Sequence, residues 1–308
     1  MANNNQKWKK DLNRVVVVGK LHSMNLEERP TKAGDKMMII GDVTVQVMRG
    51  EEVNLVKLKV MATDVSKNYK AYKTVMEEYK SIQTHGVEEA DVIEVSGNAE
   101  LNEYLAQDGT LKGFNVLNAS FFHRLSPTEY KGDMAILDLT GVLNNISPQL
   151  DREGMPTGYH IVNVLSLKYN GATKDNDKVN ELKDLVITEE GAEVIQSMYA
   201  PGDTVGLSID IHRSVVVKEQ PQQTAGAWGR PIVQKDSYKE TLEIVGVVPT
   251  TTKRSEEQVE EIKRLRKVQK ADLSGISTTE GQGWGRTPNS TPTNTPTNDG
   301  FDDNDMPF

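Results

Sequence analysis

Cysteine is absent from all 308 residues, which removes disulfides, thiol nucleophiles and thiolate metal sites together. Histidine is scarce, and its five copies (His22, His85, His123, His160, His212) never reach metal-ligand spacing. No apolar run nears the about 18 residues of a membrane span. Met1 to Gln6 is polar, without the apolar segment of a secretory signal. Both observations point to the cytoplasm. Also missing are a glycine-rich phosphate loop with its lysine, a Ser/His/Asp pattern and a His-x-Glu deaminase signature. The expectation is a protein without cofactor or metal that is not an enzyme, with a nuclease built from scattered carboxylates left open.

The net charge of −9 would argue against nucleic-acid binding if it were spread evenly. It is not: residues 1–130 sum to −1, residues 131–250 to −6 and residues 251–308 to −2. Screening confines a charge's influence to roughly 8 Å at physiological salt, so a basic groove can work within a mildly acidic protein.

What is present is mainly β. Leu12–Met24, Lys36–Met48 and Glu52–Thr63 alternate apolar and polar residues, with Arg49-Gly50 as a turn between the last two. Over Asp64–Thr84, the three- and four-residue spacing of Tyr69, Tyr72, Met76, Tyr79 and Ile82 predicts one helix, capped by Asp64 or Ser66 and closed by Gly86. Asp91–Leu101 and Lys112–Leu125 follow as strands around Asp108-Gly109. Three strands, a helix and a two-stranded hairpin are the element order of the OB-fold, a five-stranded barrel that binds oligonucleotides on one face.

The order repeats. Val15, Val17, Gly19 and Leu21 match Leu137, Leu139, Gly141 and Leu143 at a constant offset of 122. Gly158–Tyr169, Lys183–Thr188, a short helix Glu189–Tyr199 capped by Thr188, Thr204–Val217 and Tyr238–Val248 complete a second set, with Gln220–Val233 as a long loop. The expected fold is two tandem OB-like barrels, with a single larger barrel or sandwich as the alternative. The domains are residues 1–130 with a basic N-terminal arm, residues 131–250, an amphipathic helix within 251–272, and a linker with an acidic tip over 273–308. In that helix Ser255 and Gln258 form a capping box, glutamates crowd its start, and Val259, Ile262, Leu265 and Val268 form one stripe. Its basic end (Arg264, Arg266, Lys267, Lys270) suits either the helix dipole or a phosphate.

Candidate binding residues gather in the first barrel. With Val15, Val17, Gly19 and Leu21 turned inward, Arg14, Val16, Val18, Lys20 and His22 share the other face. In the third strand Asn54, Val56, Leu58 and Val60 point one way, and Leu55, Lys57, Lys59 and Met61 the other. The first loop adds Arg29, Lys32 and Lys36, and the arm adds Lys7, Trp8, Lys9 and Lys10. Phe122 and Arg124, with Tyr104 and Phe114 around the last hairpin, complete a stacking surface, although Phe122 fits a core equally well. Single-stranded nucleic acid calls for this pairing of cations along the backbone with aromatic faces for bases. The second barrel has lost basic residues on its first strand (Ile136, Asp138, Thr140, Val142, Asn144). It is read as an auxiliary site using Tyr159, Lys168, Tyr169 and Trp228, or as a dimerisation and spacing element.

From Ser274 the composition turns to Gly, Ser, Thr, Pro and Asn, that of a disordered tether. It ends in Gly300-Phe301-Asp302-Asp303-Asn304-Asp305-Met306-Pro307-Phe308. This stretch resembles the tip of bacterial single-stranded-DNA-binding proteins, usually Asp-Asp-Asp-Ile-Pro-Phe, with Asn304 interrupting the acids and Met306 in place of Ile. The resemblance implies sequence-independent, cooperative or multimeric binding of single-stranded DNA without a cofactor. It also implies docking of replication, recombination and repair proteins such as polymerase, helicase, primase or recombinase on Asp302, Asp303, Asp305, Met306, Pro307 and Phe308. Two barrels per chain differ from the one-barrel housekeeping form and suggest a bacteriophage version. The competing classes are a phage virion or assembly protein, an RNA-binding OB module, and a recombination mediator or nuclease subunit.

Overall fold

A computed structural model describes residues 8–171, 173–216, 237–250 and 253–275. The first half comprises β1 (Asn13–Pro30), β2 (Met37–Arg49), β3 (Glu52–Thr63), α1 (Tyr69–Glu78), α2 (Ile82–Glu89), β4 (Val92–Leu105) and β5 (Leu111–Arg124). The second comprises β6 (Met134–Leu150), β7 (Pro156–Asn170), β8 (Asp175–Thr188), α3 (Glu189–Met198), β9 (Thr204–Val216) and β10 (Ser237–Val247), followed by α4 (Glu256–Leu273). In each half the first strand pairs with the second and fourth, the second with the third, and the fourth with the fifth, all antiparallel. A parallel contact between third and fifth strands closes each ring, at Lys59↔Asn118 and at Val186↔Glu243. Two closed five-stranded barrels of OB topology result, joined in one ten-stranded sheet.

Alternation sets the faces as expected: Asn54, Val56, Leu58 and Val60 are buried, while Lys57, Lys59 and Met61 are exposed. Gly19 and Gly141 mark the same crowded bend in each first strand. A Cβ on Gly19 would lie 2.1 Å from the Gln46 carbonyl oxygen, and one on Gly141 would lie 2.4 Å from that of Leu165. Gly19→Ala should therefore cost about 1–3 kcal/mol through overpacking against backbone, read as a lower denaturation midpoint; an unchanged midpoint would contradict the close approach.

The barrels meet through β1 and β6, antiparallel from Asn13↔Leu139 to Val18↔Met134. The repeat-related residues Val15 and Leu137 face each other in that register, so a pseudo-two-fold axis passes between them. The braces obey the same symmetry. In the third strand of the first barrel, Asn54 donates to the Ile211 carbonyl at 2.8 Å and accepts from the Arg213 N–H at 2.8 Å. In the third strand of the second, Asn180 donates to the Ala99 carbonyl at 3.0 Å and accepts from the Leu101 N–H at 3.1 Å. Each buried amide thus satisfies two backbone groups, two residues apart, on the fourth strand of the other barrel.

Two expectations are corrected. The single helix over 64–84 is two: Tyr79 and Ala90 leave the helical region, and Gly86 has a left-handed φ of 81° within α2. Tyr72 and Val75 plug the end of the first barrel, the Tyr72 hydroxyl donating to the Ala119 carbonyl at 2.9 Å. Tyr69 donates to Glu28, a bond that pushes its phenol up to about 12 and holds the Glu28 carboxyl below its ordinary value. The second correction concerns Val16 and Val18, expected on the outer face but both buried. The segment between the barrels crosses Val18, with Leu125, Lys131 and Met134 lining the same hollow.

Helix α4 begins at Ser255, whose hydroxyl accepts from the Gln258 N–H while the Gln258 side chain accepts from the Ser255 N–H. Val259 and Ile262 pack on Val142, Leu165, Leu167 and Val179, the outer side of the second barrel. This cover is why β7 is buried on both faces between Val164 and Leu167.

Candidate nucleic-acid interface

The outer face of β2, β3 and β5 in the first barrel brings several predicted residues together. Lys57 and Lys59 alternate outward along β3, facing Thr44 and Asp42 on β2. The Lys59 ammonium lies 5.7 Å from the centroid of the Phe114 ring, which is 47% exposed. Tyr104 meets Phe114 edge to face at 6.4 Å across the β4–β5 hairpin. A cation over an aromatic face beside a second ring can take a phosphate and a stacked base at once. Lys57 is bound to Asp42 at 2.7 Å, so its charge is partly neutralised in place. Lys59 has no ion pair among the described residues, its neighbour being the ring. Beyond Ile40↔Met61 the sheet continues into the β1–β2 hairpin, where Arg29, Lys32 and Lys36 are exposed.

Other candidates are placed elsewhere. Trp8 is 5% exposed, packed with Val142, Leu165, Leu167, Val179 and α4, and its carbonyl accepts from Asn176 at 2.7 Å. The arm runs onto the second barrel, where Asp11 accepts from the Leu167 N–H and binds Arg254, both at 2.7 Å. Lys9 and Lys10 follow the arm, away from β3. Lys20 is spent on the Val87 carbonyl of α2 at 2.8 Å. His22 is half-buried, and burial lowers its pKa. Phe122 turns inward: half-buried, it stands perpendicular to Tyr72 at 5.7 Å and packs against the main cluster. Arg124 covers the Tyr79 ring at 4.4 Å and pairs with Asp91 at 3.2 Å. Arg14 is exposed at the β1–β6 join, opposite Asp138.

Alternation alone missed Phe121. A bulge between Ser96 and Gly97 shifts the β4–β5 register, leaving Phe121 65% exposed on a strand whose inward residue is Phe122. Met61, 69% exposed on β3, joins it as an apolar element of the surface. The tip residues Asp302, Asp303, Asp305, Met306, Pro307 and Phe308, and also Trp228, lie outside the described residues.

Among the described residues no group of three or more His, Cys, Asp and Glu side chains is arranged to hold a metal. Among them, too, no helix is long and apolar enough to cross a membrane.

Fold and surface together define a tandem OB-barrel protein with one basic, aromatic-bearing face. By its sequence the chain belongs to the YorF family, whose model matches residues 11–275. No curated protein matches it by sequence. The structure is similar to that of wild-type single-stranded DNA binding protein from Thermus aquaticus, at 14% identity and a TM-score of 0.46, covering 80% of this chain and 97% of that one. A deletion mutant of the same protein gives 14%, 0.45, 80% and 98%. A mitochondrial single-stranded DNA binding protein from S. cerevisiae gives 13%, 0.27, 38% and 97%.

Proposed function

We propose that the chain binds single-stranded DNA without sequence preference and shields it during replication, recombination or repair. The observation that carries this is the Lys59–Phe114–Tyr104 group on the outer face of an OB barrel. Lysines release counterions from phosphate, and rings accept any base by its face, so neither part reads sequence. The acidic residues of 302–308 serve as a docking peptide for replication and recombination proteins, in the manner their sequence suggests, and a phage-encoded origin fits the tandem design.

The test is a titration of end-labelled oligonucleotide by fluorescence anisotropy, with single-stranded DNA, duplex DNA and RNA of one sequence at several salt concentrations. The label is preferred to Trp8 emission, since Trp8 is buried under α4 and away from β3. Single-strand preference that falls with salt is expected. Absence of binding would sink the reading in favour of a scaffold, and a preference for RNA would move it to an RNA-binding module through the 2′-hydroxyl.

A further inference from the structure

The second barrel presents a face equivalent to the proposed DNA surface, and the equivalence can be read from register. Asn54 and Asn180 are the matching braces of the two third strands, and Gly19 and Gly141 lie against the matching second-strand residues Gln46 and Leu165. Leu58 and Val60 are buried in the first barrel, as are their counterparts Leu185 and Ile187 in the second. Lys59 therefore corresponds to Val186, and Lys57 to Asp184. The second strands agree, since Asp42 faces Lys59 and Ile161 faces Val186. So do the closing contacts of the fifth strands, which place Asn118 beside Lys59 and Glu243 beside Val186.

The chemistry is inverted. Pro148, Leu150, Ile161, Val186 and Thr241 line a hollow on this face, and its one charged lining residue is the carboxylate of Asp184. Asp184 is exposed, has a left-handed φ of 56°, and is held there by its N–H donating to Asn163 Oδ1 at 3.0 Å. Asp is enriched in that backbone conformation, which Lys174 adopts as well, and it stands here in the place of Lys57. Lys168, the cation counted on for an auxiliary site, is taken by Glu100 of the first barrel at 2.8 Å.

We infer that Asp184 and Glu243 exclude the phosphate backbone from the second barrel, so that one chain engages single-stranded DNA through its first barrel alone. This rests on the single-strand reading above and fixes how much DNA each chain covers. A like charge facing phosphate is repulsive over roughly a Debye length, ~8 Å at physiological salt. A strand leaving Lys59 therefore meets repulsion from these two described carboxylates on the equivalent face.

The experiment uses the full chain, a series of labelled oligo-dT lengths and anisotropy at fixed salt, with occluded length scored per chain. Wild type should gain no further affinity beyond the span of one barrel, about 4–16 nucleotides. The double variant Asp184→Asn, Glu243→Gln removes the repulsion while keeping a residue that accepts the left-handed backbone. It should bind long oligo-dT at least several-fold tighter, with short oligo-dT unchanged. Tyr159→Ala should leave wild-type affinity unaltered. Wild-type affinity that keeps rising to twice the one-barrel length and falls in Tyr159→Ala would overturn the inference. So would a double variant indistinguishable from wild type on long oligo-dT. Failure of the underlying reading looks different, as no oligo-dT of any length would bind.

Discussion

Arg266→Ala is expected to be the most damaging single change to the fold, costing about 3–5 kcal/mol as one half of a buried charge network is removed. Arg266 is 6% exposed on α4 and makes bonds of 2.7 and 2.5 Å to Glu103 of β4 and one of 2.8 Å to Glu181 of β8. Those strands belong to different barrels, so one guanidinium clamps both and ties the helix across them. Removing it leaves Glu103 facing only Lys183, at 3.9 Å, and Glu181 facing Lys270, at 2.8 Å. The comparison is Arg264→Ala, an exposed i,i+3 partner of Glu261 on the same helix, which should shift stability by less than about 1 kcal/mol. Urea denaturation of both variants measures the difference, and equal midpoints would show that the clamp does not hold the barrels.

The same network predicts how stability responds to acid. Burial alone would raise the Glu181 pKa, but the hydrogen bonds from Lys270 and Arg266 outweigh it and hold the carboxyl below its ordinary value. A carboxyl whose folded pKa is depressed contributes stability above its unfolded pKa and loses it as pH falls through the folded one. The clamp should therefore be intact at neutral pH and weaken below the ordinary glutamate range. Glu181→Gln should flatten that acid limb.

The strand order and both barrels were legible because most strands carry a period-two pattern beside a glycine turn, although the strand read as Lys183–Thr188 starts at Asp175. The repeat was legible at Gly19 and Gly141, where a close backbone approach imposes the same residue twice. What alternation along single strands could not see was cover. Trp8 looked like a ring on a basic arm, but Val142, Leu165 and Leu167 point outward from the second barrel and need an apolar lid, which Trp8 and α4 supply. Lys20 and His22 do lie on the outer side of β1, where α2 lies over it. Phe121 and Phe122 were exchanged in role by one bulge, since an extra residue reverses every side chain beyond it. Arg266 was read with the basic end of α4, because its two glutamate partners are 163 and 85 residues away. Lys57, Lys59 and Phe114 were legible as outward-facing residues, and among the described residues all three are exposed.

That open face carries the largest expected effect on binding. Phe114→Ala should weaken single-stranded DNA by about 1–3 kcal/mol, the value of one stacked base, with little change in stability because the ring is already half exposed. Lys59→Ala should weaken all sequences alike and lower the salt slope by about 0.7, the share of one phosphate on a single strand. The two losses should not simply add, because Lys59 sits over the ring it helps to position, and contacting residues couple. Lys57→Ala should cost less, since Asp42 already holds that ammonium and must release it before phosphate can use it. Phe122→Leu provides the opposite pattern: its ring packs on Tyr72 in the core, so stability should fall while affinity per folded molecule stays put. Anisotropy with labelled oligo-dT across a salt series, on variants first shown to be folded, reads all four. Unchanged affinity in the Lys59→Ala, Phe114→Ala double variant would remove the DNA site from β3 and β5, whatever the barrels resemble.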